Sequence, residues 1–368
     1  MTGSAGADAL GREMAEGPAA VAGTLANVAR LRPALDAAVA SARRVILVGT
    51  GASLAVVRTV APLWRHATEL AQTAKTVCVL DVLVRESTAA VLGEIDGQPF
   101  RRDDLVIAVS QSGTSPETLA AARRAIAAGS AVVAVTGHPD SPLGEAASLS
   151  LPIDSGEEHD ASSKSALATL AGLLAMGGIL PDDSRGAVVE RLEAVIASGK
   201  AAAAPGRLLA EADRIWFLGF GAALGLAEAG ALLWHEKVVR PAIATTPSEF
   251  RHGLIEATRA GDAVVLLEVD APDVRREAYL GRLREESAAL DVAIVEISPA
   301  GRPGPVSASD GGRQLRIETM GAEPAAGALE TLLRVQQVAR AGALAAGTYR
   351  DGFLILRRVV KAADDLFE

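Results

Sequence analysis

Leu105-Val106-Ile107-Ala108-Val109-Ser110-Gln111-Ser112-Gly113-Thr114-Ser115-Pro116-Glu117-Thr118 passes from an apolar run into a cluster of hydroxyls, and Leu119-Ala120-Ala121-Ala122-Arg123-Arg124-Ala125-Ile126 follows as a helix-forming stretch. The apolar run reads as a strand buried on both faces, the mark of a parallel sheet. A loop between the end of such a strand and a helix N-terminus is where open α/β sheets hold ligands. Backbone N–H groups there lack intrahelical partners, and the helix dipole favours an anion. Ordinary capping needs one hydroxyl, whereas this loop and first turn carry five (Ser110, Ser112, Thr114, Ser115 and Thr118). Ser110, Gln111, Ser112, Gly113, Ser115 and Thr118 are therefore candidate phosphate-binding residues, with Gly113 allowing close approach of the backbone.

The same alternation of short Val/Ile/Leu runs with alanine-rich helical stretches continues along the chain, which predicts an α/β fold of doubly wound parallel sheets. Strands are expected at Val45–Val48, Thr76–Leu80, Val106–Val109, Ala131–Val135 and Leu149–Ile153. Helices are expected from Ser163 through Leu180 and from Gly186 to about Ala212. The pattern then restarts with a strand at Ile215–Gly219, an amphipathic helix from Ala222 to Lys237, and strands at Ile243–Ala244, Val264–Leu267, Ala293–Ile297 and Leu315–Ile317. Val45-Ile46-Leu47-Val48-Gly49-Thr50-Gly51 and Ile215-Trp216-Phe217-Leu218-Gly219-Phe220-Gly221 open the two halves alike, so we read an internal duplication. Where the first half has its hydroxyl loop, the second has Leu267-Glu268-Val269-Asp270. One phosphate site per chain is expected. The expected domains are an N-terminal helical segment (1–40), a phosphate-binding α/β domain (41–182), a helical connector (183–210), a second α/β domain (211–345) and a C-terminal tail (346–368) that contributes to the active site.

The bulk numbers narrow the function classes. The 368 residues suffice for two domains, and 49% hydrophobic with 22% charged residues is a globular composition. Aromatics are 3%, so the core is expected to rest on Ala, Val, Leu and Ile. A net charge of −9 argues against a nucleic-acid surface. The single cysteine, Cys78, excludes a disulfide framework and a thiolate metal site, and reads as a small core residue. No signal peptide opens the sequence and no apolar run is long enough to span a bilayer, which predicts a cytoplasmic protein without membrane partners.

Gly49-Thr50-Gly51-Ala52-Ser53 lies at a strand end and adds Gly51 and Ser53 to the candidate ligand residues. A dinucleotide fingerprint is disfavoured here, because Leu54 stands where a third glycine is needed and Asp81, at the end of the next expected strand, comes late. Ser162, in Ser162-Ser163-Lys164-Ser165, either caps a helix or reaches the same pocket as Ser110–Thr118; both readings stand. Glu236, in Trp234-His235-Glu236-Lys237, and His252, in Glu249-Phe250-Arg251-His252-Gly253, form a plausible acid–base pair for proton transfer on a sugar. The histidines show no metal-ligand spacing, so neither metal nor cofactor is expected.

Taken together these motifs resemble the tandem SIS (sugar isomerase) domains of the isomerase half of glucosamine-6-phosphate synthase, shared with sugar-phosphate deaminases and fructosamine-6-phosphate deglycases. Met14-Ala15-Glu16-Gly17-Pro18 is similar to the family's Ile-x-Glu-Gln-Pro, Gly51-Ala52-Ser53 to its Gly-Thr-Ser, Ser110–Gly113 to its phosphate loop, and Ala161-Ser162-Ser163-Lys164 to Ala-Ser-Thr-Lys. Gly230-Ala231-Leu232-Leu233-Trp234-His235-Glu236 lines up on Gly-Ala-Leu-Lys-Leu-Lys-Glu, and Glu249–Gly253 on Glu-Leu-Lys-His-Gly at the family's own spacing. The resemblance implies two flavodoxin-like domains and a sugar-phosphate substrate, with Ser53, Ser110, Gln111, Ser112 and Ser115 on the phosphate. It implies Glu236 as the base between carbons 1 and 2. It implies His252 as the group assisting ring opening across a homodimer interface. The family lysine that forms an imine falls on Arg358, with Lys361 as the nearby substitute; arginine stays protonated and is a poor imine former. A second family lysine, three residues before the glutamate, is Leu233 here, and Ala52 replaces a threonine. With no glutaminase half in the sequence, glutamine-dependent synthesis is not expected. An isomerase or deaminase of an amino-sugar or ketose phosphate is, with a deglycase or a non-catalytic sugar-phosphate regulator as the alternatives.

Overall fold

A computed structural model describes residues 8–73, 81–92, 100–270, 273–301, 313–320 and 323–355. The chain divides into two compact units. One contains residues 19–156 and 165–189, the other residues 8–18, 157–164 and 190–353. The stretch Glu157–Lys164, inside the span 41–182 expected for the first domain, packs with the second unit.

The first unit is built on a five-stranded sheet of β1 (Arg44–Gly49), β2 (Asp81–Glu86), β3 (Asp104–Val109), β4 (Ala131–Thr136) and β5 (Leu149–Pro152). All pairings are parallel and the order is β2-β1-β3-β4-β5. Every residue of β3 is buried, as a central parallel strand requires. Val106 and Ala108 of that strand pack with Ile46, Val48, Val132 and Ala134, and the small residues Ala121, Ala122 and Ala125 let the following helix, Pro116–Ala127, lie close on the sheet. The expected strand Thr76–Leu80, which includes Cys78, lies outside the described residues. The second strand that is described is Asp81–Glu86, so Asp81 does not stand at its end.

The second unit repeats the plan with β6 (Ile215–Gly219), β7 (Ala242–Thr245), β8 (Ala263–Leu267), β9 (Ala293–Pro299) and β10 (Gln314–Thr319). These are again parallel, in the order β10-β9-β8-β6-β7. Counted from the first strand of each half, both sheets read 2-1-3-4-5, the flavodoxin-like order. The duplication extends to backbone detail. A Cβ on Gly49 would meet the Ser53 backbone at 3.0 Å, and one on Gly219 the Ala223 carbonyl at 2.3 Å. Gly51 and Gly221 adopt φ +58° and +54° with open space around them. In each half the first glycine lets the helix start against the strand end and the second turns the chain into it.

Aromatic residues, scarce overall, gather in the second unit. Trp216 meets Phe250 edge-on at 5.3 Å, and Phe217 lies 6.4 Å from Trp234. Two helices differ from expectation. The stretch 186–212 is broken into Arg185–Ala197 and Ala203–Ala210. The helix after β6 is not amphipathic: nine of the twelve residues of Ala222–Leu233 are buried and two of the other three are leucines, so it is a core helix. Among the described residues no helix is long and apolar enough to cross a membrane.

Candidate active site

In the first unit β1 and β3 are hydrogen-bonded neighbours, and the order reverses between them. The loops leaving their C-terminal ends, Gly49–Ser53 and Ser110–Ser115, thus flank the switch point at which such sheets bind ligands. Gly51 is exposed, and Ser53 sits half-buried in the first turn of the helix Ala52–Thr73. The Ser110 loop is held from below. The Gly137 N–H and the Thr136 hydroxyl donate to the Gln111 carbonyl at 2.9 and 3.2 Å, and the Leu143 N–H donates to the Gly113 carbonyl at 3.1 Å. Gly113 has φ +65°, and a Cβ there would stand 1.8 Å from Ser141 Oγ. Only glycine fits.

The hydroxyls of this loop are not spent on the helix. Ser115 occupies the N-cap of Pro116–Ala127 yet makes no side-chain cap bond; its Oγ lies 2.9 Å from Ser110 Oγ. By contrast Ser141, Thr246 and Asp273 cap their helices, accepting from the Gly144, Glu249 and Arg276 N–H groups. Ser112 Oγ accepts from the Thr114 N–H and hydroxyl, which curls the loop tip. A helix start left uncapped beneath a ring of serines suits an anion. Thr118 is different. It is buried and shares a hydrogen bond of 2.9 Å with Ser87, so its hydroxyl serves packing between its own helix and Ser87–Leu92.

The corresponding loop of the second unit, after β8, has changed chemistry. Glu268 is buried, and Asp270 takes a bond of 2.7 Å from Arg276, whose own backbone N–H is capped by Asp273. Carboxylates line this switch point where hydroxyls line the other.

Glu236 belongs to the second unit. The helix Ala222–Leu233 ends in a π-turn, Trp234–Val238, closed by the Val239 N–H donating to the Trp234 carbonyl at 3.1 Å. Val239 then adopts φ 59°, a left-handed conformation rare for a β-branched residue. Wide turns and strained residues of this kind gather at functional sites. Glu236 is half-buried, and burial pushes its carboxyl up to about 7, with the Lys237 charge pulling it down and the Asp160 charge pushing it up. A carboxyl poised there exchanges protons readily near neutral pH. His252 follows the short helix Pro247–Arg251 and is exposed; its N–H donates to the Ser248 carbonyl at 3.0 Å. The charges acting on Glu236 are those of Lys237 and Asp160.

Lys237 and Asp160, both buried, form a cluster with the half-buried Tyr349. The Lys237 ammonium contacts Asp160 Oδ1 and donates to the Arg350 and Gly352 carbonyls at 2.6 and 3.2 Å. Tyr349 donates to Asp160 Oδ2 at 2.7 Å. Burial pushes the Tyr349 phenol up, and its bond to Asp160 pushes the same way. The sequence carries one signal of this cluster: Lys237 falls three residues after Trp234, on the buried face of an apolar helix. Two motif pieces also meet in the second unit, since Lys164 donates to Glu16 at 2.5 Å. Ser162 is half-buried, and neighbouring Ser163 bonds Glu158 through both its N–H and its hydroxyl. Arg358 and Lys361 lie outside the described residues. Among the described residues no group of three or more His, Cys, Asp or Glu is placed to hold a metal ion.

Residues 93–177 match the SIS domain family. Over 173 residues the chain is 32% identical to the glutamine–fructose-6-phosphate aminotransferase (isomerizing) of Sulfolobus acidocaldarius, a match spanning 45% of this chain and 29% of that protein. The fold is similar to that of a tagatose-6-phosphate ketose/aldose isomerase from Escherichia coli, with TM-score 0.76, 21% identity, and 94% of this chain and 95% of that one covered. It is similar too to the C-terminal domain of glucosamine-fructose-6-phosphate aminotransferase from Francisella tularensis, with TM-score 0.75, 17% identity, and 95% and 100% covered. The sequence match falls on the unit that carries the serine loop: residues 93–177 match the SIS domain family, and the fold of the chain, with one strand order in both sheets, is similar to that of solved phosphosugar isomerases.

Proposed function

We propose that the chain is a phosphosugar isomerase or deaminase that moves a proton between carbons 1 and 2 of an amino-sugar or ketose phosphate. The observation that carries this reading is Glu236, a half-buried carboxyl in a π-turn, raised to about 7. Ser53, Ser110, Gln111, Ser112 and Ser115, with Gly51 and Gly113 shaping the backbone, would hold the phosphate through uncapped N–H groups and hydroxyls. In the deaminase direction the open-chain aldose loses its C2 proton to the Glu236 carboxylate and becomes an enolamine. The proton returns at C1, and water hydrolyses the resulting C2 imine to the ketose and ammonia. The isomerase reaction uses the same shuttle through an enediol. His252, exposed on its turn, is assigned to ring opening from a second copy of the chain, with Ser162 on the substrate and Arg358 or Lys361 near its carbonyl.

The test is incubation with glucosamine 6-phosphate in D2O, following ammonia release and deuterium uptake at the exchanging carbon, with Glu236→Gln alongside. Release and uptake by wild type alone support a deaminase with Glu236 in the chemistry. Uptake without release, on fructose 6-phosphate, supports the isomerase arm. Equal turnover by Glu236→Gln overturns the mechanism.

A further inference from the structure

Lys237 stands next to the proton-transfer group yet points away into the protein. Its side chain is fully buried. All three ammonium protons are accounted for, by Asp160 Oδ1 and the carbonyls of Arg350 and Gly352, and its Nζ lies 4.9 Å over the Tyr349 ring. Asp160 is as fully used. Its Oδ1 accepts the Ala161 N–H and its Oδ2 the Tyr349 hydroxyl, both at 2.7 Å. The strap 348–352 grips the π-turn a second time, since the Thr348 hydroxyl donates to the Lys237 carbonyl at 3.1 Å. It is pinned on its far side as well, where Asp351 accepts the Ala9 N–H and Tyr349 the Leu10 N–H.

A buried ion pair is a poor way to gain stability, because desolvation cancels most of the attraction and an apolar pair of equal volume does as well. Its use is to fix one arrangement among several. Here the element fixed is a π-turn that ends in a strained left-handed valine, a backbone that local forces alone do not favour.

We propose that Lys237 is a positioning residue for Glu236: its buried ammonium ties the π-turn to Asp160 and to the strap 348–352, and so fixes where the Glu236 carboxyl stands. The assignment rests on Glu236 as the proton-transfer group, but the tie itself is measured without substrate. Charged or titratable groups around it are Lys237 and Asp160, Tyr349 and Asp351 on the strap, and Glu13, which accepts the His159 and Asp160 N–H groups.

The experiment compares wild type, Lys237→Met and the double variant Lys237→Met/Asp160→Leu. The double variant removes the tie without leaving a buried charge, and is the one to use if Lys237→Met does not fold. Amide hydrogen exchange reads the strap, and carbon-13 NMR of labelled glutamate, assigned with Glu236→Gln, reads the carboxyl. In either folded variant the 349–352 amides exchange at least roughly tenfold faster; in Lys237→Met, where Asp160 is kept, the Glu236 midpoint also rises by roughly half a pH unit as the lysine charge is lost. Turnover of glucosamine 6-phosphate loses kcat with little change in KM. Wild-type exchange in the strap of either variant, or an unmoved Glu236 midpoint in Lys237→Met, overturns the proposal. If Glu236→Gln turns over normally, the catalytic reading fails, while exchange and midpoint still judge the tie.

Discussion

Gly113→Ala tests whether the serine loop is held open by a backbone that only glycine can take. At φ +65° an alanine costs about 1–2 kcal/mol relative to its preferred regions. The added Cβ would also stand 1.8 Å from Ser141 Oγ and 2.5 Å from Ser141 Cβ. A hydroxyl can rotate away, but a Cβ moves only with its backbone. Shifting Ser141 breaks its cap on Gly144, worth about 1 kcal/mol, and disturbs the Leu143 N–H bond to the Gly113 carbonyl. The expected loss is about 3 kcal/mol in urea unfolding, divided about evenly between conformational strain and steric contact. Ser141→Gly removes the two closest atoms, leaving Thr136 Oγ1 at 2.9 Å, and also deletes the Gly144 cap; measured against Ser141→Gly alone, Gly113→Ala should therefore cost only the conformational strain, about 1–2 kcal/mol. Calorimetric titration with glucose 6-phosphate, as a phosphosugar probe, should show weakened binding in Gly113→Ala and partial recovery in the double variant. An unfolding free energy within about 0.5 kcal/mol of wild type would refute the argument, as would a cost of Gly113→Ala that is undiminished in the Ser141→Gly background.

Two further outcomes concern the second unit. Between the ordinary 4.5 and about 7, the native state keeps the Glu236 proton that the unfolded chain has shed, so stability falls as pH rises through that window. Glu236→Gln should abolish this fall and, at pH 8, be more stable than wild type by about 2 kcal/mol after allowing for partial exposure, while wild-type kcat/KM rises with pH to a plateau above about 7; parallel pH slopes of unfolding in the two proteins would contradict it. Val239→Gly relieves a left-handed valine that is 44% exposed, and the relief outweighs the added freedom of the unfolded chain by about 0.5 kcal/mol. Its unfolding midpoint should rise, and a fall would mean that the valine side chain contributes more than its strain costs.

The fold was legible where burial and chemistry coincide. β3 and its loop combine an unbroken apolar run with a hydroxyl cluster, and no other element offers both signals. β2 offered neither. It is an edge strand with only Val82 buried, and Asp81, Arg85 and Glu86 give it a polar look. Thr118 looked like a loop hydroxyl because position in sequence does not tell which side of a helix start faces the sheet. The helix after β6 was readable as a helix, but not as a buried one ending in a π-turn. A π-turn has no residue signature, and the partners that tie Lys237 down are 77 residues away at Asp160 and more than 100 away at Arg350 and Gly352. Local pattern carries the sheet, and long-range polar contacts carry the site.

Duplication explains why the halves share an architecture but not a task. Both sheets keep the 2-1-3-4-5 order, the close glycine at the first strand end and the left-handed glycine two residues on, because those features make the fold. The loop after the third strand is free to differ. After β3 the chain spends Ser110 and Ser115 on each other and leaves a helix start uncapped; after β8 it places Glu268 and Asp270, ties Asp270 to Arg276, and caps the next helix with Asp273. An anion approaching the second switch point meets carboxylates and a helix N-terminus already satisfied, so the pull that makes such sites bind phosphate is gone. On the proposed reading the second half carries no phosphate site. Its distinctive chemistry lies instead in the π-turn, where a core helix opens by one residue and leaves a single half-buried carboxyl beside a locked lysine.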